Sequence, residues 1–298
     1  MDWDDLRIFL AVARSESLSG AGKRLALDPA TVGRRIARLE ERTATLLFNK
    51  SPQGYVLTED GLRLLPHAEA TEAATAGAAE SLSRFEGAGG ITGQIRLGAP
   101  DGCANYLLPP VIAEISAANP GLEVQLVALP RVFNLSKREA DMAIGVSRPQ
   151  AGRLTVQKLT DYRLSLAAHP DYLAKAAPIT SYDDLQGHRI VGYIPDMIFD
   201  KELDYLGELG LTHVDVASNS VPVQLQLLRA GAGLGVVHDF ALPQAPELSR
   251  VLADTVRLTR AFWLIRHEGD ARSVRLSRFA DALALGIRRE VQRLEAFS

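Results

Sequence analysis

The stretch from Ser17 to Glu41, SLSGAGKRLALDPATVGRRIARLEE, limits the possible folds more sharply than any other part of the chain. It reads as two short helices joined by a tight turn. Asp28 is a favourable N-cap, Pro29 suits the first helical position where its missing N–H goes unneeded, and Val32, Ile36 and Leu39 follow at helical spacing. The other face carries Thr31, Arg34, Arg35, Arg38 and Arg42, side chains that donate to phosphates or to guanine edges. Periodicity alone suits equally well an amphipathic surface helix whose arginines are merely solvated. The flanking segments favour a helix presented to DNA. Leu6, Phe9, Leu10 and Ala13 predict one upstream helix and Leu18, Ala21 and Leu25 another, so three helices can share one small core. Downstream, Leu46, Leu47 and Phe48 lead into NKSPQGYVLT, where Pro52 and Gly54 mark a turn between two short extended runs. This is the layout of a winged helix-turn-helix, whose wing offers Lys50 and Tyr55 to the backbone of a duplex.

Charge bears on this locally. The chain of 298 residues has a formal net charge of -3, yet residues 23–50 hold seven Lys or Arg against three Asp or Glu. With 47% hydrophobic residues the chain is long enough for two or three packed units. Its one cysteine, Cys103, excludes an internal disulfide and any cysteine-based metal cluster, and suits a reducing compartment. The N-terminus, MDWDDLRIF, is acidic where a secretory signal is basic, and no window approaches the roughly 20 apolar residues that span a bilayer. A soluble cytoplasmic protein with no membrane partner is expected.

Enzyme signatures fail on inspection. Gly231, Gly233 and Gly235 resemble a dinucleotide fingerprint, but they follow an expected helix and precede an expected strand, the reverse of what phosphate binding at a helix N-terminus requires. His238 lies beside Asp239 without any G-x-S-x-G elbow to supply a nucleophile, and the six histidines show no zinc spacing. No catalytic residue, metal or cofactor is expected. The alternatives are a bilobed small-molecule-binding protein, or a metabolic enzyme with an accessory helical domain.

From Thr58 to Phe85 the sequence predicts one long helix, about 42 Å at ~1.5 Å per residue. Leu64, Ala68, Thr71, Thr75, Ala78, Leu82 and Phe85 follow the alternating four-three spacing of a two-helix seam, with Pro66 expected to bend the helix or end its first turn. The same helix could also pack on its own domain. Pairing with a second copy suits its position between a head and a glycine-rich connection at Gly87, Gly89, Gly90 and Gly93. Beyond that connection, short apolar runs at 95–97, 124–129, 142–146, 164–168, 190–193 and 214–217 alternate with helical segments at 107–118 and 223–230, and a helix at 274–294 closes the chain. The overall class is α/β.

Residues 1 to about 92 resemble the DNA-binding domain and linker helix of LysR-type transcriptional regulators, with the family's order of helices and its "RLE", "LF" and "LTEDG" motifs. The likeness extends, less specifically, to the rest of the chain. The family commonly has Gln, Pro and Ser where this chain has Pro29, Ala30 and Gly33, and a basic wing residue in place of Gln53. The resemblance implies DNA contacts from Thr31, Arg34, Arg35 and Lys50, on a helix that starts at Asp28 and Pro29; Arg38 joins them from its place on the same helical face. It also implies a dimer or a dimer of dimers, and an effector-binding part of two Rossmann-like subdomains like a type 2 periplasmic-binding-protein fold. The expected boundaries are a head at 1–57, a linker at 58–93 and an effector-binding domain at 94–298, divided into 94–161 with 267–298, and 162–266.

In such sheets ligands sit at the carboxyl ends of strands, beside helix N-termini. The candidate effector residues are therefore Pro100, Asp101, Gly102 and Cys103 after the first strand and Arg131 after the second. In the second subdomain they are Tyr193, Asp196, Asn219, Ser220 and His238. Asp101 would repel a carboxylate ligand unless an arginine intervenes and would welcome a hydroxyl or amine; it could equally serve only as a helix cap. Ser220 or Asn219 could likewise be an N-cap alone, and His238 a structural histidine.

Overall fold

The structure, a computed structural model, describes residues 1–51, 54–82, 90–128, 139–150, 152–270 and 273–297. They divide into two compact units, one built on residues 1–82 and the other on residues 90–128, 140–150, 152–266 and 275–297.

Local signals set every helix of the first unit. Helix α1 (Trp3–Ser15) opens on a capping box in which Asp2 accepts from the Asp5 N–H and Asp5 from that of Asp2. Helix α2 (Leu18–Leu25) is capped by the Ser17 hydroxyl, which accepts from Gly20 N–H at 2.9 Å. Helix α3 (Pro29–Thr43) is capped by Asp28, which accepts from Ala30 N–H at 2.8 Å. Leu6, Phe9, Leu10, Ala21, Val32, Ile36 and Leu39 bury their side chains in the shared core, as the spacing predicts, while Ala13, Leu18 and Leu25 pack against it partly buried. The turn between α2 and α3 is closed by Leu27 N–H donating to the Gly22 carbonyl at 2.9 Å. A Cβ at position 22 would stand 2.6 Å from the Leu27 carbonyl oxygen, so only glycine fits there.

Ala26, in the same turn, holds a left-handed conformation at φ 54° and is exposed. A Cβ costs roughly 1–2 kcal/mol in that region, whereas glycine enters it freely. Ala26→Gly is therefore expected to raise the stability of the head by about 1 kcal/mol and leave DNA affinity unchanged. A denaturant midpoint equal to that of the parent would refute it.

The wing pairs β1 (Phe48–Ser51) with β2 (Gly54–Leu57) in antiparallel register, Lys50 opposite Tyr55. The family-like motifs have physical tasks here. Glu40 of "RLE" accepts from the Leu47 and Phe48 N–H groups at 2.7 and 3.1 Å, fixing α3 to the start of the wing. Thr58 of "LTEDG" bonds the Leu46 carbonyl at 2.7 Å and accepts from Gly61 N–H at 3.0 Å, starting α4 (Glu59–Leu82). Helix α4 thus begins as the Thr58 cap predicts, while Phe85 lies outside the described residues. Rather than ending its first turn at Pro66, the helix continues through it; only the bond to the Leu62 carbonyl is forgone, on a turn where Leu62 is exposed. Arg14 of α1, nearly buried, makes a two-pronged ion pair with Glu72 of α4 at 2.8 and 2.6 Å.

The second unit runs β3 (Gly93–Ala99), α5 (Asp101–Tyr106), α6 (Leu108–Ala118), β4 (Leu122–Ala128), β5 (Met142–Gly145), β6 (Leu154–Ala168) and α7 (Pro170–Leu173). It continues with β7 (Ile190–Gly192), α8 (Tyr205–Glu208), β8 (Val216–Ala217), α9 (Val221–Arg229), β9 (Leu234–His238), β10 (Ser249–Arg250), β11 (Leu258–His267) and α10 (Val274–Glu295). The sheet has two matching ends. At one, β3 lies parallel between β4 and β5, and at the other β7 lies parallel between β8 and β9. Antiparallel β11 flanks β5, antiparallel β6 flanks β9, and β11 and β6 are neighbours in the middle. Each parallel end puts its strand termini beside helix starts, the arrangement that favours ligands.

Three departures from the sequence reading have simple causes. Strand β6 begins ten residues before the expected apolar run at 164–168, because Thr155, Gln157, Thr160 and Asp161 mask an extended segment that is only half covered. Strand β11, with alternating burial, was not among the predicted runs. A short helix not among the expected segments, α5, precedes the helix expected at 107–118, which forms as α6 after a break at Leu107. Residue Leu129, at the end of the expected second run, lies outside the described residues.

Candidate functional site

The first site is the exposed face of α3. Val32, Ile36 and Leu39 anchor the helix, which leaves Arg34, Arg35 and Arg38 in solvent; none of the three has an ion-pair partner among the described residues. Arg34 donates to the Thr31 hydroxyl at 3.1 Å, one turn nearer the capped end. Lys50 stands exposed on the wing with its ammonium 5.9 Å from the Tyr55 ring centre. Asp28 and Pro29, also exposed, fix where the helix begins. Arg42 does not belong with these residues. Although it shares their helical face in projection, its guanidinium binds Asp5 at 2.9 Å and lies 3.9 Å from Asp2, so it holds α3 to α1.

The second site is a small, partly open cavity in the sheet unit, of about 10 Å³. Of the ten candidate effector residues, Pro100, Asp101, Gly102, Cys103, Tyr193 and His238 line it together. Ser220 stands outside the lining, at the N-cap of α9, close enough to Asp101 to oppose the rise in its pKa. Asn219 is half-buried outside the lining, and Asp196 is exposed on a short turn at Pro195–Met197. Arg131 lies outside the described residues.

Sequence reasoning missed half of the lining. Val146, Tyr162, Phe199, Leu203, Val221 and Phe262 complete the wall. Tyr162 and Phe262 come from the two long strands that the apolar runs did not reveal, and stack at 4.2 Å between ring centres. His238 also stacks on Tyr162, at 5.5 Å between ring centres.

Asp101 does cap a helix, though not its own. Its Oδ2 accepts from the Val221 N–H at 2.9 Å, across 120 residues of sequence, at the first position of α9. Ser220 occupies the N-cap position without making a side-chain cap bond. Burial raises the Asp101 pKa from its ordinary value, opposed by the bonds from Ser220 and Val221. Burial also pushes the Cys103 thiol up, so it is not an activated nucleophile. It depresses the His238 imidazole to about 3, keeping it neutral at physiological pH. The Nδ1 atom of His238 and the hydroxyls of Tyr162 and Tyr205 are buried with no partner at hydrogen-bonding distance and angle, although the two phenol groups sense one another.

Among the described residues no cluster of three or more His, Cys, Asp or Glu is placed to hold a metal, and no helix is long and apolar enough to cross a membrane.

Comparison with known proteins covers both sites. Residues 3–62 match the bacterial regulatory helix-turn-helix protein family, lysR type, and residues 88–286 match the LysR substrate binding domain. The chain is 26% identical over 287 residues to the HTH-type transcriptional regulator CrgA of Neisseria meningitidis, covering 94% of this chain and 95% of that protein. It is 34% identical over 255 residues to the HTH-type transcriptional regulator DgdR of Burkholderia cepacia, covering 82% of this chain and 80% of that one. The solved structure of CrgA superposes with a TM-score of 0.57 at 25% identity, over 96% of this chain and 99% of that chain. A full-length OxyR variant from Pseudomonas aeruginosa shares the fold with a TM-score of 0.72 at 19% identity, over 97% of this chain and 95% of that one.

Proposed function

Since the chain belongs to the LysR family and is a transcriptional regulator with a helix-turn-helix and an effector-binding domain, we propose that α3 reads its operator and that the cavity beside Asp101 receives the effector. The observation that carries the first part is the row of unpaired Arg34, Arg35 and Arg38 on a helix whose other face is buried. A face of free guanidinium groups, with Lys50 on the wing, supplies phosphate anchors and base readers together.

Roles divide along the helix. Residues near the N-terminus of a recognition helix reach base edges, so Thr31 and the bonded Arg34 are the base readers, and Arg35, Arg38 and Lys50 grip phosphates. Arg34→Ala is expected to weaken binding to the promoter upstream of its gene by about 1–3 kcal/mol and to relax discrimination between operator and random duplex. Arg38→Ala should weaken all duplexes alike and lower the salt slope by about one. Electrophoretic retention measured across a salt series checks both; retention by Arg34→Ala equal to that of the parent would remove that residue from the reading head.

The proposed organisation assigns residues 1–57 to the head, 58–93 to a linker that pairs with a second copy, and 94–298 to effector binding. The two matching ends of the sheet support a two-part division of the last part, proposed as 94–161 with 267–298, and 162–266, although Trp263–Arg266 of β11 pair with β5 of the first end. A small molecule acting on the contact between them would alter the presentation of the heads, and so the geometry of the bound DNA. A cytoplasmic site of action fits this role.

A further inference from the structure

We propose that the cavity takes a small amine, whose ammonium group meets the Asp101 carboxylate while an apolar or aromatic body lies among Tyr162, Tyr193, Phe199 and Phe262, and that capture of Asp101 uncaps α9. This rests on the reading of the cavity as the effector site and names the chemistry that the site selects.

The charges point to a cation. Asp101 is the only Asp, Glu, Lys or Arg among the described lining residues, and His238 stays neutral because it is buried. The usual anion-binding device, a helix start with free N–H groups, is curtailed at its first two positions. The Val221 N–H is bonded to Asp101, and the next residue of α9, Pro222, has no N–H to give. A carboxylate ligand would have to displace Asp101 and leave two like charges together in a largely apolar enclosure. An ammonium ligand instead brings the missing countercharge.

Unmatched polar atoms point the same way. His238 Nδ1 and the Tyr162 hydroxyl belong to side chains more than nine-tenths buried, and both line the cavity; His238 Nδ1 lacks a partner, and the Tyr162 hydroxyl has that of Tyr205 near it but outside hydrogen-bonding geometry. An ammonium has three donors, enough for Asp101, the Tyr162 oxygen and an accepting His238 nitrogen. The faces of the surrounding aromatic rings attract a cation further.

Size supplies the link to conformational change. The cavity admits about one water molecule as it stands. A larger ligand has to part the walls, and the bond from Val221 N–H to the Asp101 carboxylate is a tie across them. That tie joins the loop after β3, at one parallel end of the sheet, to the helix after β8, at the other. The ammonium and the Val221 N–H compete for one carboxylate, so binding and separation of the two ends become a single event.

Calorimetric titration of the full chain with benzylamine, benzyl alcohol and benzoate tests the proposal. Benzylamine is expected to bind at least about tenfold more tightly than benzyl alcohol, with benzoate weakest. In Asp101→Asn the benzylamine affinity should fall by about tenfold or more while benzyl alcohol changes by less than about threefold. Hydrogen exchange at the Val221 amide should quicken when benzylamine binds. Tighter binding of benzoate, an equal loss for all three compounds in the variant, or no benzylamine binding at millimolar concentration would overturn the amine assignment; slower exchange at Val221 would overturn the uncapping. Retention of the promoter by the ligand-free protein, measured in parallel, tests the regulatory reading separately.

Discussion

Glu72→Ala is expected to destabilise the first unit by about 3–5 kcal/mol, more than any substitution on its DNA-facing surface. The partner, Arg14, has a side chain only 5% exposed, and Glu72 is 28% exposed. With the carboxylate gone, the guanidinium remains charged in a site that water scarcely reaches, because arginine does not shed its proton. Removal of one member of such a pair costs far more than removal of both. The double variant Arg14→Met/Glu72→Leu should therefore recover most of the loss, since well-packed apolar residues of similar length replace the pair at little net cost. Denaturant unfolding followed at Trp3 reads the first unit directly, as Trp3 packs on its core. A loss below about 1 kcal/mol for Glu72→Ala, the range of an exposed pair, would contradict the burial argument.

The second large effect is on pH dependence. His238 titrates at about 3 in the folded protein because burial disfavours its cation, against an ordinary value of 6.5 in the unfolded chain. Between those limits the unfolded state binds a proton that the folded state refuses, so stability falls as the pH drops below 6.5. By pH 5 this single group should have removed roughly 2 kcal/mol relative to pH 7.5. His238→Phe keeps a ring against Tyr162 and Phe240 but cannot titrate. Its unfolding free energy should accordingly fall less over that interval, by about the same 2 kcal/mol. Parallel pH curves for the two proteins would mean that the imidazole has access to water or a partner. Asp101 works in the opposite direction, since its raised pKa makes the folded state the better proton acceptor as the solution is acidified. The comparison with His238→Phe removes that contribution because both proteins retain Asp101.

The head was almost wholly legible in sequence. Asp2, Ser17 and Asp28 cap their helices within three residues of themselves, and the buried stripe of α3 recurs every three or four positions. Interactions over so short a span leave a local trace. Arg42 shows where that logic ends, because its helical face placed it with the DNA-facing arginines until Asp5, 37 residues away, claimed it. The sheet unit was legible in class and in most of its strands. Of its long strands, β6 was read only in its last part, at 164–168, and β11 not at all, since polar residues interrupt the apolar signal along both.

The cavity shows the same limit more strongly. Reading strand ends found Pro100, Asp101, Gly102, Cys103, Tyr193 and His238, because a loop between a strand and a helix can be recognised locally. It could not find Tyr162, Phe199 or Phe262, which contribute side chains from the middle of long strands and from an irregular turn.

Sequence by itself thus determined the helix-turn-helix, its caps and its basic face, since each depends on neighbours within a turn or two of the chain. Tertiary structure alone decided what Asp101 does. Its carboxylate meets the start of a helix 120 residues away, and burial there raises its proton affinity.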